Sequence, residues 1–278
     1  MRTSNTKSAS VSLPVTRGLT LLYASSLVVI VTMAIASAAG LLYPARIYPT
    51  DALRQSFMSN DVVNLVIGVP ILLGSMWCAR RGTLVGLLFW PGALMYVLYN
   101  YIAYVFSTPV SWILILYLAL VALSTYTLIG LVASIDGTAV QQRLAGAVPE
   151  RLAGGISVGF GVLFFLRVVV VIAGALVSHT TVPAADLAVL IPDFLLSPAW
   201  AIGGVLLWRR KALGYVSGAG LLFQASMLFI GLIIFLLLQP LLTDAPFALV
   251  DVIVVAAMGL VCFVPFGLFV RGVASSGT

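Results

Sequence analysis

The chain has 278 residues, of which 62% are hydrophobic and only 8% are charged, and its formal net charge is +6. Soluble globular proteins are about 45–50% apolar and about 25% charged, so this composition excludes a soluble protein and predicts an integral membrane protein. Membrane spans and short connections consume the length, which excludes a separate soluble catalytic or ligand-binding domain. Any activity is therefore expected among the helices themselves.

Eight runs of mostly apolar residues are long enough to cross a bilayer. They lack the two-residue alternation of barrel strands, so an all-α polytopic membrane protein with eight transmembrane helices is predicted. The first run follows a signal-peptide-like start, but it is too long for a cleaved signal and is interpreted as an uncleaved helix. The predicted spans cover approximately residues 18–42, 61–79, 83–106, 110–134, 154–178, 191–208, 212–238 and 247–270.

Basic residues are concentrated at one end of these spans. That side has Arg2, Lys7, Arg17, Arg80, Arg81, Arg143, Arg151, Arg209, Arg210, Lys211 and Arg271, whereas the other side has Arg46 and Arg54. Most of the acidic residues lie on the other side as well, namely Asp51, Asp61, Asp186, Asp193, Asp244 and Asp251. By the positive-inside rule, both termini are expected in the cytoplasm. The predicted location is a cell membrane, of the prokaryotic inner or plasma membrane type.

Two matching stretches indicate an internal repeat. NLVIGVPILLGSMWCARR, residues 64–81, resembles DFLLSPAWAIGGVLLWRR, residues 193–210, which begins 129 positions later. A glycine and the double arginines align, whereas Pro70 and Pro198 differ by one place. We interpret the match as a duplication that produced two tandem four-helix halves; the alternative is a coincidence of features common in membrane helices. The predicted halves are residues 1–134 and 154–278, joined by a cytoplasmic connector at residues 135–153.

Arg167 is the most unusual single residue, because the run VLFFLRVVVVI, residues 162–172, places its guanidinium near the middle of the fifth span. A charge at a helix centre costs about 2.5–3.5 kcal/mol on insertion scales, so such residues usually face a polar interior and pair with another group. Snorkelling is the alternative, but about ten residues at ~1.5 Å rise separate Arg167 from the outer helix end. A buried, paired arginine is predicted, and both a structural and a substrate-binding role remain open.

Partners for this arginine are expected on the two matching stretches. Asp61 and Asn64 share one face of the second span, and Asp193 and Ser197 share one face of the sixth. Prolines interrupt both helices at nearly equivalent places, and paired interruptions in two halves point to a binding site near the membrane midplane. These four polar residues are therefore predicted to bind a ligand together with Arg167.

The third span adds a polar, aromatic face near its outer end. The spacing i, i+4 and i+8 places Tyr96, Asn100 and Tyr104 on one side, and they are predicted to form a wall of the same pocket. Tyr99 and Tyr101 are interpreted as members of the interfacial aromatic belt. Gln224 in the seventh span lies at a similarly unusual depth for a polar residue.

Several functional classes lack the residues that they require. A single histidine, His179, argues against a bis-histidine haem or a multi-histidine metal centre. Lys7 and Lys211 lie at cytoplasmic positions, so a retinal Schiff base has no anchor. The sequence has no hydrolase, metalloprotease or nucleotide-binding motif and no paired cysteines, so no cofactor and no metal is predicted. Cys78, Cys262 and the glycines clustered in the fifth and seventh spans are interpreted as packing residues.

The leading hypothesis is a protein that binds or transports a small anionic or polar molecule in a pocket that opens from the outer side between the two halves. Arg167 would hold the anionic or hydrogen-bond-accepting group, and an enzymatic role is not favoured. The alternative is a non-catalytic subunit or scaffold, with partner subunits or a second copy of the chain. A weaker alternative is an intramembrane enzyme that acts on a lipid or quinone with an aspartate as acid or base. Membrane lipids are expected partners in every case, and nucleic acid in none.

Overall fold

The computed structural model describes residues 13–275, and nearly all of this part of the chain is helical. It contains eight helices that are long and apolar enough to cross a membrane, as the sequence predicts. The protein is therefore an all-α, multi-pass membrane protein. The helices are α1 Thr20–Leu42, α2 Asp51–Arg80, α3 Leu84–Ser107, α4 Trp112–Ser134, α5 Glu150–Val177, α6 Ala184–Trp208, α7 Ala212–Leu242 and α8 Leu249–Ser275. Two short helices, Pro44–Ile47 and Gly137–Leu144, lie in the connections.

Helix α2 begins well before the predicted start at residue 61. The side chain of Thr50 accepts a hydrogen bond from the backbone N–H of Leu53, and Asp51 lies in the first turn. A threonine cap and an acidic first turn both stabilise a helix N-terminus. Helix α6 likewise begins at Ala184 rather than at 191. Residues 51–60 are polar, so hydrophobicity alone does not reveal this extension.

A π-helical turn, Asn64–Gly68, interrupts α2 just before Pro70. The backbone N–H of Val69 bonds to the carbonyl of Asn64, five residues earlier. A proline has no N–H and its ring crowds the carbonyl four residues back, so a wider turn upstream accommodates it. Pro198 lies within the regular α-helix α6. The two aligned prolines therefore affect their helices differently.

Helices α3 and α7 form the centre of the bundle. They meet at Gly92 and Gly220, where a Cβ added to Gly92 would collide with the backbone of Gly220. Small residues allow helix backbones to approach this closely. Helices α2 and α6 each pack against both α3 and α7, whereas α1 and α4 flank one side of this group and α5 and α8 flank the other.

The α2–α3 and α6–α7 hairpins have the same construction. Each turn contains one residue with a positive φ, Gly82 at 81° and Arg210 at 55°. In the first turn of the next helix, Gly86 and Gly214 lie against the last turn of the preceding helix, so tightly that a Cβ would overlap its backbone. Both pairs, and the two glycines at the centre of the bundle, are 128 positions apart. The double arginines of the two matching stretches are 129 positions apart, whereas Pro70 and Pro198 are 128 apart. The spacing of the prolines therefore agrees with the spacing of the glycines.

Several basic segments meet at one end of the bundle. Ile135 forms a β-bridge with Val15, and the Gln141 side chain donates a 2.7 Å hydrogen bond to the carbonyl of Arg210. Glu150 accepts a 2.9 Å hydrogen bond from the hydroxyl of Tyr215. The connector and the α6–α7 turn therefore lie together with the start of the described chain. Arg2 and Lys7, which the sequence assigns to this side, lie outside the described residues.

Helix α5 packs mainly against α6. Gly154 and Gly161 face its backbone, and a Cβ at either position would come within 2.7 Å of Gly204 or Ala201. Gly159 faces open space, so the packing interpretation is wrong at that position. Beyond Gly161 the helix stays in contact with α6, as the stacked rings of Phe165 and Phe194 show, but most of its side chains are exposed: in the stretch 162–177, Val168 alone is buried.

Candidate ligand-binding site

A cavity of about 440 Å³, the main cavity, lies among α5, α6, α7 and α8, with Tyr99 of α3 on one side. Small-molecule sites usually have volumes of about 300–1,000 Å³, so this cavity is of ligand size. Its walls are chiefly aliphatic and aromatic. The lining residues that carry polar atoms on their side chains are Tyr99, Arg167, Asp193, Ser197, Trp200 and Gln224.

An ion pair joins α5 to α6 at this cavity. Arg167 Nη1 lies 3.1 Å from Asp193 Oδ2, and the hydroxyl of Tyr99 donates to Asp193 Oδ1 at 2.8 Å. The predicted pairing of Arg167 is confirmed, but its predicted burial is wrong: the Arg167 side chain is 47% exposed, because the stretch of α5 around it is largely uncovered, whereas that of Asp193 is 6% exposed. A guanidinium has five N–H donors, and within the described chain only Nη1 of Arg167 makes a hydrogen bond. The aspartate is thus satisfied, and the arginine retains donors for another group.

Gln224 of α7 is a second donor at the same cavity. Its Oε1 accepts a 2.8 Å hydrogen bond from the indole N–H of Trp200, which fixes the orientation of the amide because an indole can only donate. The Gln224 side-chain NH₂ is fully buried and has no hydrogen-bond partner among residues 13–275. An unsatisfied buried polar group costs about 1–3 kcal/mol. Because Gln224 is 0% exposed, this amide lies behind the cavity surface, and a ligand oxygen reaches it only if neighbouring side chains move.

Helix α6 supplies three of these side chains from one face. Asp193, Ser197 and Trp200 are spaced i, i+4 and i+7, which places them along one stripe of an α-helix. The hydroxyl of Ser197 bonds back to the carbonyl of Asp193. Trp200 is nearly perpendicular to the rings of Phe160 and Phe164 on α5, at centroid distances of 6.1 and 6.0 Å. These contacts hold the indole against Gln224.

A second cavity, of about 220 Å³, lies between α2 and α3 on one side and α6 and α7 on the other. Its polar lining comes from Ser56 and Asn60 on α2 and from Tyr96, Tyr99 and Asn100 on α3. The two cavities are adjacent. Tyr99, Val189, Leu228 and Leu232 line both of them.

Asp61 lies in a separate buried network. It accepts a hydrogen bond from the hydroxyl of Tyr48 at 2.7 Å and from the hydroxyl of Tyr104 at 2.8 Å. Tyr104 in turn accepts from the side-chain amides of Asn60 at 3.2 Å and Asn64 at 3.4 Å. Asp61 is 1% exposed and Tyr104 is fully buried. The network packs so closely on α1 that a Cβ at Gly40 would overlap the Asp61 carboxylate.

The residues predicted to bind one ligand therefore divide into three groups. Arg167, Asp193 and Ser197 line the main cavity, Tyr96 and Asn100 line the second cavity, and Asp61, Asn64 and Tyr104 belong to the buried network. The shared helix faces were predictable from spacing. Which helix each face meets depends on packing between residues distant in the sequence.

Three of the six polar side chains that line the main cavity were not among the residues predicted to bind a ligand. Trp200 continues the stripe from Asp193 and could have been found by extending the spacing by one turn. Gln224 stands out by its depth alone. Tyr99 was assigned to the aromatic belt, but it contacts Asp193. The same assignment is wrong for Tyr101, which is fully buried and lies 3.1 Å from the hydroxyl of Ser37. Tyrosines near a helix end look alike in sequence whether they face lipid or protein.

Compared with known protein families, with characterised proteins and with solved structures, the chain matches none. The functional argument therefore rests on the geometry of the cavities and on the multi-pass helical fold.

Proposed function

We propose that this membrane protein binds a small molecule in the main cavity and transports it between that cavity and the outer side. The observation that carries the proposal is the guanidinium of Arg167, which lies at an otherwise apolar cavity, is 47% exposed and bonds through Nη1 alone within the described chain. A ligand with a carbonyl, carboxylate or other accepting oxygen would pair with its remaining N–H groups.

The second cavity supplies a route for such a ligand. It lies between the helices of the two sequence halves, and Ser56, Ala185 and Phe235 place it toward the ends of α2, α6 and α7 that the charge pattern assigns to the outer side. Tyr99 stands between the two cavities and is held by Asp193. Val189, Leu228 and Leu232 line both cavities as well, so Tyr99 is proposed as the movable part of the barrier between them.

Two tandem halves with both termini in the cytoplasm are part of the proposal. The 128-residue equivalence of the α2–α3 and α6–α7 hairpins supports a duplication. Gly92 and Gly220, which are equivalent in this register, contact each other, as expected for residues on a pseudo-two-fold axis. The same axis would relate the contact of α2 with α7 to the contact of α6 with α3.

The two halves would then differ in what occupies the space between their helices, which is side chains in the first half and the main cavity in the second. In the 128-residue register, Phe229 and Leu232 of the main cavity correspond to Tyr101 and Tyr104, which are buried with their hydroxyls hydrogen-bonded. Aromatic rings and the network around Asp61 occupy the first half. The first half would thus act as a rigid support, and the second half would hold the ligand.

Native mass spectrometry of the protein purified in mild detergent tests the binding function. We expect a small molecule on the wild-type protein, and its bound fraction should fall about tenfold or more in Arg167→Gln, because this variant loses a charged hydrogen bond to the ligand. Gln239→Met is the control, since Gln239 lines neither cavity and bonds to the backbone of Gln55. Equal occupancy in the wild type and in Arg167→Gln would contradict the proposal.

A subunit role is a second candidate, favoured by the apolar face that α5 presents beyond Gly161. Leu166 is 53% exposed and Val170 is 68% exposed. A partner helix on this face would predict a stoichiometric protein, or a second copy of the chain, in gently purified samples. Val170→Trp should dissociate it by steric clash, whereas a monodisperse, partner-free wild-type protein would argue against this role.

A further inference from the structure

We infer that the ligand of the main cavity is a membrane-dissolved molecule with an apolar body and hydrogen-bond-accepting oxygens, and that it enters from the bilayer between α5 and the helices α7 and α8. The inference rests on the proposed binding function. It adds the chemical class of the ligand and the direction of its entry.

The composition of the walls selects an apolar body. Apart from the six polar or polar-tipped side chains named above, the lining residues are aliphatic or aromatic, including Leu163, Leu196, Leu228, Val255 and Met258. A strongly hydrated solute would lose its water without recovering hydrogen bonds along these walls. An alkyl chain or an apolar ring has no hydrogen bonds to water to lose, and it gains van der Waals contact with these walls.

The route follows from residues that both line the cavity and lie on the surface of the bundle. Leu163 of α5 is 51% exposed and Leu232 of α7 is 41% exposed. The rings of Phe160 and Phe229, 5.5 Å apart, bring α5 and α7 together on the inner side of this gap. On the outer side of this contact the exposed Leu163 and Leu232 line the cavity, so the cavity reaches the outer surface of the bundle between α5 and α7.

The depth of this gap places it in the hydrocarbon. At ~1.5 Å per residue, Leu163 lies about 21 Å from the end of α5 at Val177, and Leu232 lies about 15 Å from the end of α7 at Leu242. The hydrocarbon core of a bilayer is about 30 Å thick. A molecule that passes through the gap therefore comes from among the lipid chains rather than from water.

The polar groups select the head of the ligand. Arg167 offers the N–H groups that it does not use within the described chain, while Tyr99 and Arg167 already occupy both oxygens of Asp193. An accepting oxygen completes the site, whereas a cationic head would meet the guanidinium and is rejected. The carboxylate of a fatty acid and the carbonyls of a quinone both have this chemistry, so the experiment must distinguish them.

Trp200 provides a reporter inside the cavity, because bromine atoms quench indole fluorescence on contact. The reporter protein keeps Trp200 and the fully buried Trp90, and it carries phenylalanine at Trp77, Trp112 and Trp208, which are each more than half exposed. It is reconstituted in phosphatidylcholine vesicles and titrated with dibromostearate, with dibromooctadecane, which lacks the carboxylate, or with a decyl-substituted benzoquinone. A further Trp200→Phe variant measures the background.

We expect saturable quenching by dibromostearate that disappears in Trp200→Phe, with dibromooctadecane at least about tenfold weaker because it has no acceptor. Gln239→Met, at a residue that lines neither cavity, should leave the half-quenching concentration unchanged. Saturable quenching by the benzoquinone alone would also support the inference and would assign the head to a carbonyl. The double variant Arg167→Gln with Asp193→Asn removes the pair without leaving a buried charge, and it should weaken quenching if the protein folds.

Two results would overturn the inference. One is quenching that rises linearly with probe and is the same in Trp200→Phe, or that is equally strong with dibromooctadecane. The other is a water-soluble molecule on the native protein together with no saturable quenching by any probe; in that case the binding function stands and the lateral route fails. If the native protein carries no molecule and no probe quenches Trp200, both proposals fail.

Discussion

Arg167 Nη1 lies 3.1 Å from Asp193 Oδ2 and so connects two consecutive helices near the middle of their length. The pair is unequal, because the aspartate side chain is 6% exposed and the arginine side chain 47%. The hydroxyl of Tyr99 donates a hydrogen bond to the other carboxylate oxygen of Asp193. Arg167 keeps N–H groups that make no hydrogen bond within the described chain, beside the main cavity. The two charges neutralise each other, and the guanidinium can still serve a ligand.

The energetic coupling of this pair should be measurable. Asp193→Asn or Arg167→Gln alone should lower the free energy of unfolding by about 2 kcal/mol, because each leaves one charge without its partner. The double variant should recover a large part of that loss. Chemical denaturation in detergent provides the three differences, and strictly additive effects would show that the pair contributes no coupling.

The network around Asp61 should be structural. Tyr104→Phe should cost about 2–3 kcal/mol of stability, since it removes a donor to Asp61 and an acceptor for two asparagine amides. Tyr48→Phe, which removes one donor, should cost less, about 1–2 kcal/mol. Thermal unfolding in detergent measures both.

Tyr43→Phe is the control for these tyrosine variants, since Tyr43 is 59% exposed. It should leave the midpoint of unfolding unchanged. Ligand quenching at Trp200 should survive in the folded fraction of every variant, because Asp61 lines neither cavity. A Tyr48→Phe protein that is fully stable but no longer binds would contradict a structural role.

The contact of Gly92 with Gly220 should tolerate no side chain. Gly92→Ala places a Cβ against backbone atoms that cannot turn away, so we expect a loss of about 1–3 kcal/mol or a failure to fold. Gly159→Ala is the matched control, because open space surrounds that position and alanine is the better helix former by roughly 0.5–1 kcal/mol. Comparable unfolding midpoints in the two variants would rule out close packing at the centre.

The proposed orientation can be tested by labelling with a membrane-impermeant maleimide. In a background with Cys78 and Cys262 replaced by serine, Asp244→Cys should react in intact cells and Gly146→Cys only after permeabilisation. Both positions lie in exposed connections between helices. Reaction at Gly146→Cys in intact cells would invert the topology. Reaction at both sites in intact cells would contradict the three spans, α5, α6 and α7, that lie between them.

Hydrophobic composition was sufficient to predict the membrane class and the eight spans, because each span must be apolar over its own length whatever it packs against. The boundaries were less predictable where polar residues extend a helix, as at Asp51. The pairing of Arg167 with an aspartate was also predicted, since the cost of an isolated charge in the membrane is a local property.

The assignment of Asp61 and Asp193 to one pocket could not be tested from sequence, because both are outer-half aspartates in aligned helices. Packing separates them. Asp193 meets Tyr99 and Arg167 at the main cavity, whereas Asp61 is enclosed by Tyr48 and Tyr104. The sequence by itself determined which residues are too polar for lipid. Only the tertiary structure decided which of them complete one another and which, like Gln224 and Arg167, keep donors at a cavity, because that depends on contacts between helices far apart in the chain.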